Sequence, residues 1–574
     1  MRDLKSYARN ASGAWLRDLL LLTAVLAVPF FQYLGQLPLI DPDEGRYAEI
    51  PREMLERGDL ITPTLNYVKY FEKPPLLYWI NAASLKIFGM NEFAARFPSA
   101  LCGLLTVVAT YIIARRLYGR RAALIGALIL GTSAGFVLQS RIILTDMLLT
   151  LCLTAALGAF IVAAQREGRR SQGLPWYLFY LFCALATLAK GLIGIVFPGG
   201  IIFFYLLVSR RWRLLKEMRL FSGLLLYLAV AAPWFVAVSL RNPEFARFFF
   251  IHEHFERFTS TVHGRYQPFW FFVPVLLGTM LPWSFFIPGA LRRAWQDRHH
   301  EEGRAGIYLV IWTAVIFLFF SKSSSKLVPY ILPIFPPLAI LVGHRFDTLL
   351  DGKGRDIKGA ALLLGLVLTL AGSAALAYAR LPEAVAFLSG VVPAWSNPLA
   401  QFARNAPPFS LAASLGVGGL FLLQGITALR AAGRNPLVLA AVLCIGSILL
   451  TIVISRSIMG EITKAESPRE LARTALSLAG PETALVTYGP LQGVSWYTGR
   501  RVLVAGERDE LDFGSRQGDQ TAWFPDQAAL LKLWNEKHVL LFLKKRELEQ
   551  LRPLLNPSPI VRIESGRRLL VSNR

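Results

Sequence analysis

Along most of the chain, long apolar runs alternate with short charged clusters, and the alternation stops near Ser455. Runs long enough to cross the hydrocarbon core begin near Trp15, Phe97, Ala122, Leu144, Pro175, Leu192, Leu220, Phe269, Gly306, Val328, Gly359, Pro408 and Pro436, which predicts about 13 transmembrane helices. The clusters Arg115–Arg121, Arg166–Arg170, Arg210–Arg219, Arg292–Arg304, Arg345–Lys358 and Arg430–Arg434 then all fall on one side, as the positive-inside rule requires of the cytoplasmic face. The first run, Trp15 to Leu34, lacks a small-residue cleavage pattern and leads into a charged loop. It therefore reads as a retained helix with a cytoplasmic N-terminus, and an odd span count places the C-terminus outside.

On the outer side the pattern leaves a first loop from roughly 35 to 96, a short turn at Arg141–Asp146, a loop from Arg241 to Pro268, and Ser321–Lys326. Within the first loop, Asp43–Gly58 and Pro74–Phe88 are amphipathic and predict helices lying along the membrane surface. After Ser455 the composition becomes that of a soluble protein. Ala484–Tyr488, Arg501–Val504, Val539–Leu543 and Ile560–Ile563 predict strands, and Pro468–Leu478 and Asp526–Glu536 predict helices. The expected fold is an α-helical polytopic membrane domain over residues 1–455, followed by a soluble α/β domain over 456–574 outside the membrane. No nucleotide-binding glycine fingerprint and no solenoid repeat is found.

Composition agrees: 54% of the residues are hydrophobic and the mean hydropathy is +0.45, more apolar surface than a soluble core could hide. The net charge of +23 would suggest nucleic acid in a soluble chain, but its placement between spans accounts for it, so no nucleic-acid partner is expected. Cys102, Cys152, Cys183 and Cys444 sit far apart inside apolar runs and read as packing residues.

Candidate chemistry gathers in the outer loops. Asp41-Pro42-Asp43-Glu44-Gly45-Arg46-Tyr47 puts acids at a helix start, which alone could be a cap with acidic first-turn residues. The second cluster, Tyr70-Phe71-Glu72-Lys73-Pro74-Pro75, holds a Glu and a Lys beside two prolines that fix the backbone and open a helix. A snorkelling lysine would not need so rigid a mount. Arg141 and Asp146 flank the short turn, either as a structural pair or as functional groups. Lys190 interrupts a long apolar stretch, as an outward turn that also points into a polar cavity. The loop Arg241–Pro268 carries His252, Glu253, His254, Glu256, Arg257, His263, Arg265 and Tyr266. A divalent metal held by Glu72 and His254 stays open there, although His252 and His254 would not share a helical face. Ser321–Lys326, ahead of Tyr330, is either a connector or a phosphate-contacting loop.

Fixed cations, carboxylates and a tyrosine at one membrane face suit a lipid with a phosphorylated head. As a sugar leaves such a phosphate, Lys73 and Arg46 would stabilise the departing oxygen and a carboxylate the positive sugar.

The stretch Asp41 through Ile80, with the Leu144-Thr145-Asp146 turn and Glu253-His254-Phe255 followed by Arg257-Phe258, resembles the bacterial 4-amino-4-deoxy-L-arabinose transferases that act on lipid A. These are GT-C membrane glycosyltransferases related to protein O-mannosyltransferases. The resemblance implies inverting transfer of a sugar from undecaprenyl phosphate to a lipid A phosphate, at the periplasmic face of the bacterial inner membrane. It implies Asp43, Lys73 and Asp146 as catalytic residues and Arg46, Tyr47, Tyr70, Glu72, Lys190, His254, Arg257 and Tyr330 as substrate contacts, with no required cofactor. A protein O-glycosyltransferase would need a peptide groove and a base for its hydroxyl acceptor. A lipid-linked sugar transporter or flippase would show paired repeats and helices broken at the midplane, which the sequence pattern does not show.

Overall fold

The computed structural model describes residues 2–165, 173–256, 267–300, 303–350, 357–380, 411–432 and 435–574. Apolar runs in lipid must satisfy their own backbone groups, so they form helices. Among the described residues nine helices are long and apolar enough to cross a bilayer, from Ala14–Phe31 to Pro436–Arg456, and two bent pairs add two spans. Leu174–Lys190 and Ile193–Ser209, 17 residues each, are shorter apolar helices joined at the predicted Lys190 junction. These thirteen begin at or near the predicted starts, so the chain is a multi-pass membrane protein. The four cysteines are free and buried, and the predicted basic cluster Arg166–Arg170 lies outside the described residues.

The bent pairs correct the expectation of unbroken spans. Arg120–Thr132 and Ala134–Ser140 meet at 65°, and Phe269–Thr279 and Trp283–Gln296 at 112°. Ser133 is extended at the first break, while Pro282 at the second has no amide to donate. The two breaks satisfy each other: Ala134 N donates to Leu281 O at 3.1 Å, and Trp283 Nε1 donates to Thr132 Oγ1 at 3.0 Å.

The first loop also differs from expectation. Its helix Asp43–Arg57 is buried from Glu44 through Met54 rather than lying on lipid. Glu44 is held by Arg96 at 2.5 Å, whose guanidinium also donates to the carbonyls of Leu34, Leu37 and Pro38. A small hairpin follows, with β1 (Thr64–Leu65) and β2 (Val68–Lys69) joined through Asn66 and Tyr67, both at positive φ. That geometry suits a two-residue turn matched to strand twist. Helix Leu76–Phe88 then leads back to the bundle.

The C-terminal part contains a five-stranded sheet. Taking β3 (Ala484–Tyr488), β4 (Leu503–Ala505), β5 (Val539–Lys544), β6 (Ile560–Ser565) and β7 (Arg568–Ser572), the order is β4-β3-β5-β7-β6. β3 is parallel to β4 and β5, whereas β7 is antiparallel to β5 and β6. The pattern missed β7 and the short helix Gln492–Thr498, and that helix packs on Asp43–Arg57. A Cβ added at Gly45 would lie 2.6 Å from Gly493 N, so both helices must be bare where they cross. Asp41 accepts from Gly493 N at 2.9 Å. Asn66 exchanges two hydrogen bonds with the Val502 backbone, at 2.9 and 3.1 Å. The outer face of the first loop is thus covered by protein.

Burial pushes the Asp41 carboxyl up to about 6, with Asp43 and Glu44 adding to the rise and Arg568 opposing it. A carboxyl that binds its proton more tightly when folded stabilises fully below its unfolded pKa, and the contribution is lost as pH rises through the folded value. Thermal melts of purified protein should therefore show stability falling between about pH 4 and about pH 6. Asp41→Asn should flatten that slope, and an unchanged slope would remove Asp41 as its source.

Candidate active site

A cavity of about 300 Å³ opens between the start of helix Asp43–Arg57, the Glu72-Lys73 corner, the turn before helix Thr145–Ala164, the end of helix Leu174–Lys190, and Leu327–Tyr330. Of the residues singled out in the sequence, Asp43, Arg46, Tyr47, Glu72, Lys73, Asp146, Lys190 and Tyr330 all line it. Each is delivered by a feature with a local cause. Asp43 opens its helix, where a carboxylate meets the positive end of the dipole. Lys73 precedes Pro74 and Pro75, which start Leu76–Phe88. Asp146 sits in the first turn of its helix and Lys190 in the last turn of its own.

The charges are paired. Arg46 is buried and bridges Asp43, which is half exposed, to Glu510. It also lies 4.9 Å from the Tyr47 ring centroid, and its Nε is buried without a hydrogen-bond partner. Lys73 Nζ donates to the Glu72 carbonyl at 2.9 Å and stands 3.6 Å from the Glu253 carboxylate. Lys190 pairs with Asp146 at 2.5 Å and lies over the Tyr330 ring at 4.8 Å. Of the two readings left open for Arg141 and Asp146, the structural pair does not form: Asp146 takes Lys190, and Arg141 donates to the carbonyls of Pro29 and Gln32.

Of the remaining substrate contacts singled out in the sequence, Tyr70 is described and does not reach the cavity wall. Tyr70 is buried behind it with its hydroxyl unpartnered, and burial raises that hydroxyl's pKa well above the ordinary tyrosine range. Arg257 lies outside the described residues, as do the side chain of His254 and residues His263, Arg265 and Tyr266. The Glu72–His254 metal site therefore also lies partly outside them. Among the described residues no group of three or more His, Cys, Asp or Glu is placed to hold a metal ion. Ser321–Lys326 does not line the cavity, and Lys326 Nζ is held by the carbonyls of Ser323 and Gln267.

The structure picks Glu253 out of the predicted His-rich loop and adds Glu510. Glu253, on a π-helical stretch Arg247–Glu256, reaches Lys73; such stretches often mark functional sites. Glu510 comes from the C-terminal part, in the single turn Asp509–Leu511. Its only sequence signal was the acidic run Asp509-Glu510 beside Arg508.

A family model described as dolichyl-phosphate-mannose-protein mannosyltransferase matches residues 17–249, and one described as the aminoarabinose transferase C-terminal domain matches residues 471–573. The undecaprenyl phosphate-alpha-4-amino-4-deoxy-L-arabinose arabinosyl transferase of Erwinia tasmaniensis is 36% identical over 361 residues, covering 62% of this chain and 64% of that protein. The protein of the same name from Aeromonas hydrophila is 40% identical over 340 residues, covering 58% and 61%. The chain thus spans a little under two thirds of the length of these curated relatives. Among solved structures, ArnT from Cupriavidus metallidurans bound to undecaprenyl phosphate is similar with a TM-score of 0.78 at 30% identity, covering 97% of this chain and 98% of that chain.

The Arg46–Glu510 pair should be measurable as a clasp. Glu510→Gln is expected to cost about 2 kcal/mol of stability, the order of a hydrogen bond to a charged group. Denaturant or thermal unfolding of the purified protein would show it, and no change would mean that Asp43 alone suffices for Arg46.

Proposed function

We propose that this chain, which belongs to the ArnT family of aminoarabinose transferases and has its GT-C fold, moves 4-amino-4-deoxy-L-arabinose from undecaprenyl phosphate to a phosphate of lipid A. The observation that carries this proposal is the charge inventory of the cavity. Asp41, Asp43, Glu72, Asp146 and Glu510 outnumber Arg46, Lys73 and Lys190 in its wall, leaving aside Glu44, which pairs with Arg96. Cations suit a phosphate, and a surplus of carboxylates suits a sugar that itself carries an ammonium group. A neutral hexose would give no reason for the surplus. We place the cavity on the periplasmic side of the inner membrane, because the basic clusters of the chain lie at the opposite ends of the spans.

In the step itself, an acceptor phosphate oxygen forms a bond to the anomeric carbon from the face opposite the donor. The bond between that carbon and the donor phosphate oxygen breaks, and its electron pair leaves on undecaprenyl phosphate. Lys73 and Arg46 stabilise the charge that grows there. Charge on the departing phosphate draws Lys73 away from Glu253 and Glu72, whose carboxylates then face the positive sugar ring. The acceptor is a phosphate monoester, already ionised near neutral pH, so no base must take a proton. Asp43 then orients Arg46 and the sugar. The leaving group and nucleophile are both phosphates, so the chemistry calls for no cofactor, and transfer should continue at an unchanged rate after chelation of divalent metals. A rate restored only by added metal would return Glu72 and His254 to consideration.

The match of residues 17–249 to a protein mannosyltransferase model favours one other acceptor, a protein hydroxyl. That acceptor would make Asp43 a required base.

The deciding experiment incubates purified protein with undecaprenyl-phosphate aminoarabinose and lipid A and reads the product by mass spectrometry. Lys73→Ala should lower transfer by about a hundredfold or more. Asp43→Asn should slow it without moving the pH profile. Loss of the acidic limb in the Asn variant would point to base chemistry and a hydroxyl acceptor, and no lipid A product from an intact, donor-binding protein would overturn the proposal.

A further inference from the structure

One short stretch of the C-terminal part, residues 509–515, meets the reaction corner at several points. Glu510 lines the cavity. Three positions on, the half-buried Phe513 packs against an aromatic cluster that includes Phe71, Phe245 and Phe249. Its ring centroid lies 4.0 Å from that of Phe248 and 5.9 Å from that of Phe71. Gly514 follows, and a Cβ there would clash with the Lys69 carbonyl oxygen of β2. The stretch is thus pressed against the hairpin, which fixes where the Phe513 ring stands.

Both ring partners belong to the segments that hold the Lys73–Glu253 pair. Phe71 precedes Lys73 by two residues. Phe248 precedes Glu253 by five, on the stretch Arg247–Glu256, where π-type bonding joins residues five apart and sets them on neighbouring turns. The roots of the two segments are tied by the Lys69–Glu244 ion pair at 2.5 Å and the Phe71–Phe245 contact at 5.2 Å. Phe513 adds a tie further along, at Phe248. Lys73 Nζ stands 3.6 Å from the Glu253 carboxylate, beyond the roughly 2.7–2.9 Å of a charge-assisted hydrogen bond. The two charges attract at that distance, yet a ligand can part them.

We propose that Phe513 is a positioning residue for the reaction: by holding Phe71 and Phe248 together, it keeps the Glu253 carboxylate beside Lys73. This rests on the reading of a lipid-phosphate sugar as donor. A donor phosphate must displace Glu253 from Lys73, which lowers its affinity. The displaced carboxylate stays tethered next to the sugar ring, where positive charge grows as the bond to the phosphate oxygen breaks. Attraction given up in the bound state and regained in the transition state raises kcat. The C-terminal part would then act on the chemistry through an apolar ring as well as through Glu510.

A cycle of variants in the full chain, held in nanodiscs, tests this with two readouts: titration with undecaprenyl phosphate alone, and kcat for transfer. Phe513→Leu should bind undecaprenyl phosphate about threefold more tightly and turn over about tenfold more slowly. Phe513→Tyr, which keeps the ring, should restore both values. Phe248→Leu breaks the same contact from the other side and should reproduce the split. Glu253→Gln removes the competing charge itself, so Phe513→Leu should add nothing in that background, to affinity or to kcat. An effect of Phe513→Leu that persists in the Glu253→Gln background overturns the proposal. So does weaker undecaprenyl phosphate binding in both Phe513→Leu and Phe248→Leu, the outcome of a merely loosened fold. A Glu253-dependent gain in undecaprenyl phosphate affinity, in a chain that makes no lipid A product, would support the tether while sinking the reaction reading.

Discussion

Much of the outer half of the molecule depends on how one buried guanidinium is satisfied. Arg46 sits on a helix covered on both sides, and removing such a group from water is unfavourable unless carboxylates surround it. Asp43 answers from the same helix and Glu510 from the C-terminal part. Because the second partner belongs to the sheet-containing part, the helix is completed only when that part is docked. The glycine crossing of Gly45 and Gly493, the Asn66–Val502 backbone exchange and the Asp41–Gly493 bond all press in the same direction.

The cavity is a set of ion pairs holding places for a ligand. Lys73 rests near Glu253 and Glu72, and Lys190 rests on Asp146 beside the Tyr330 ring. In a site shielded from water, a charged ligand exchanges these partners rather than meeting bare charges, so the wall is preorganised without stranding a buried ion.

Much of this was legible in the chain itself. Span positions follow from the length of apolar runs, a composition signal that tolerates local error. The Glu72-Lys73-Pro74-Pro75 mount and the acidic helix start stand out because they put rigidity and charge where lipid-facing sequence has neither. What stayed hidden depends on pairing across distance. Lys190 as the partner of Asp146 could not be chosen over Arg141, which is nearer in sequence but points to backbone carbonyls. Glu510 is one acid in a single turn. Helix Gln492–Thr498 spans 7 residues and includes a glycine, too short for periodicity to register. The breaks at Ser133 and Pro282 fall inside runs that, taken whole, are long and apolar enough to cross a bilayer.

The order in which the chain is made has its own bearing on the docked loop. Arg46 and Glu510 are 464 positions apart, Asn66 and Val502 436, and Asp41 and Gly493 452. During synthesis the first loop emerges with the earliest span, and its partners follow after every other span has been threaded. Contacts of such separation close late and slowly. The corner around Asp43 and Arg46 therefore stays unassembled throughout insertion, and a half-made chain holds no finished cavity before the bundle around it is complete.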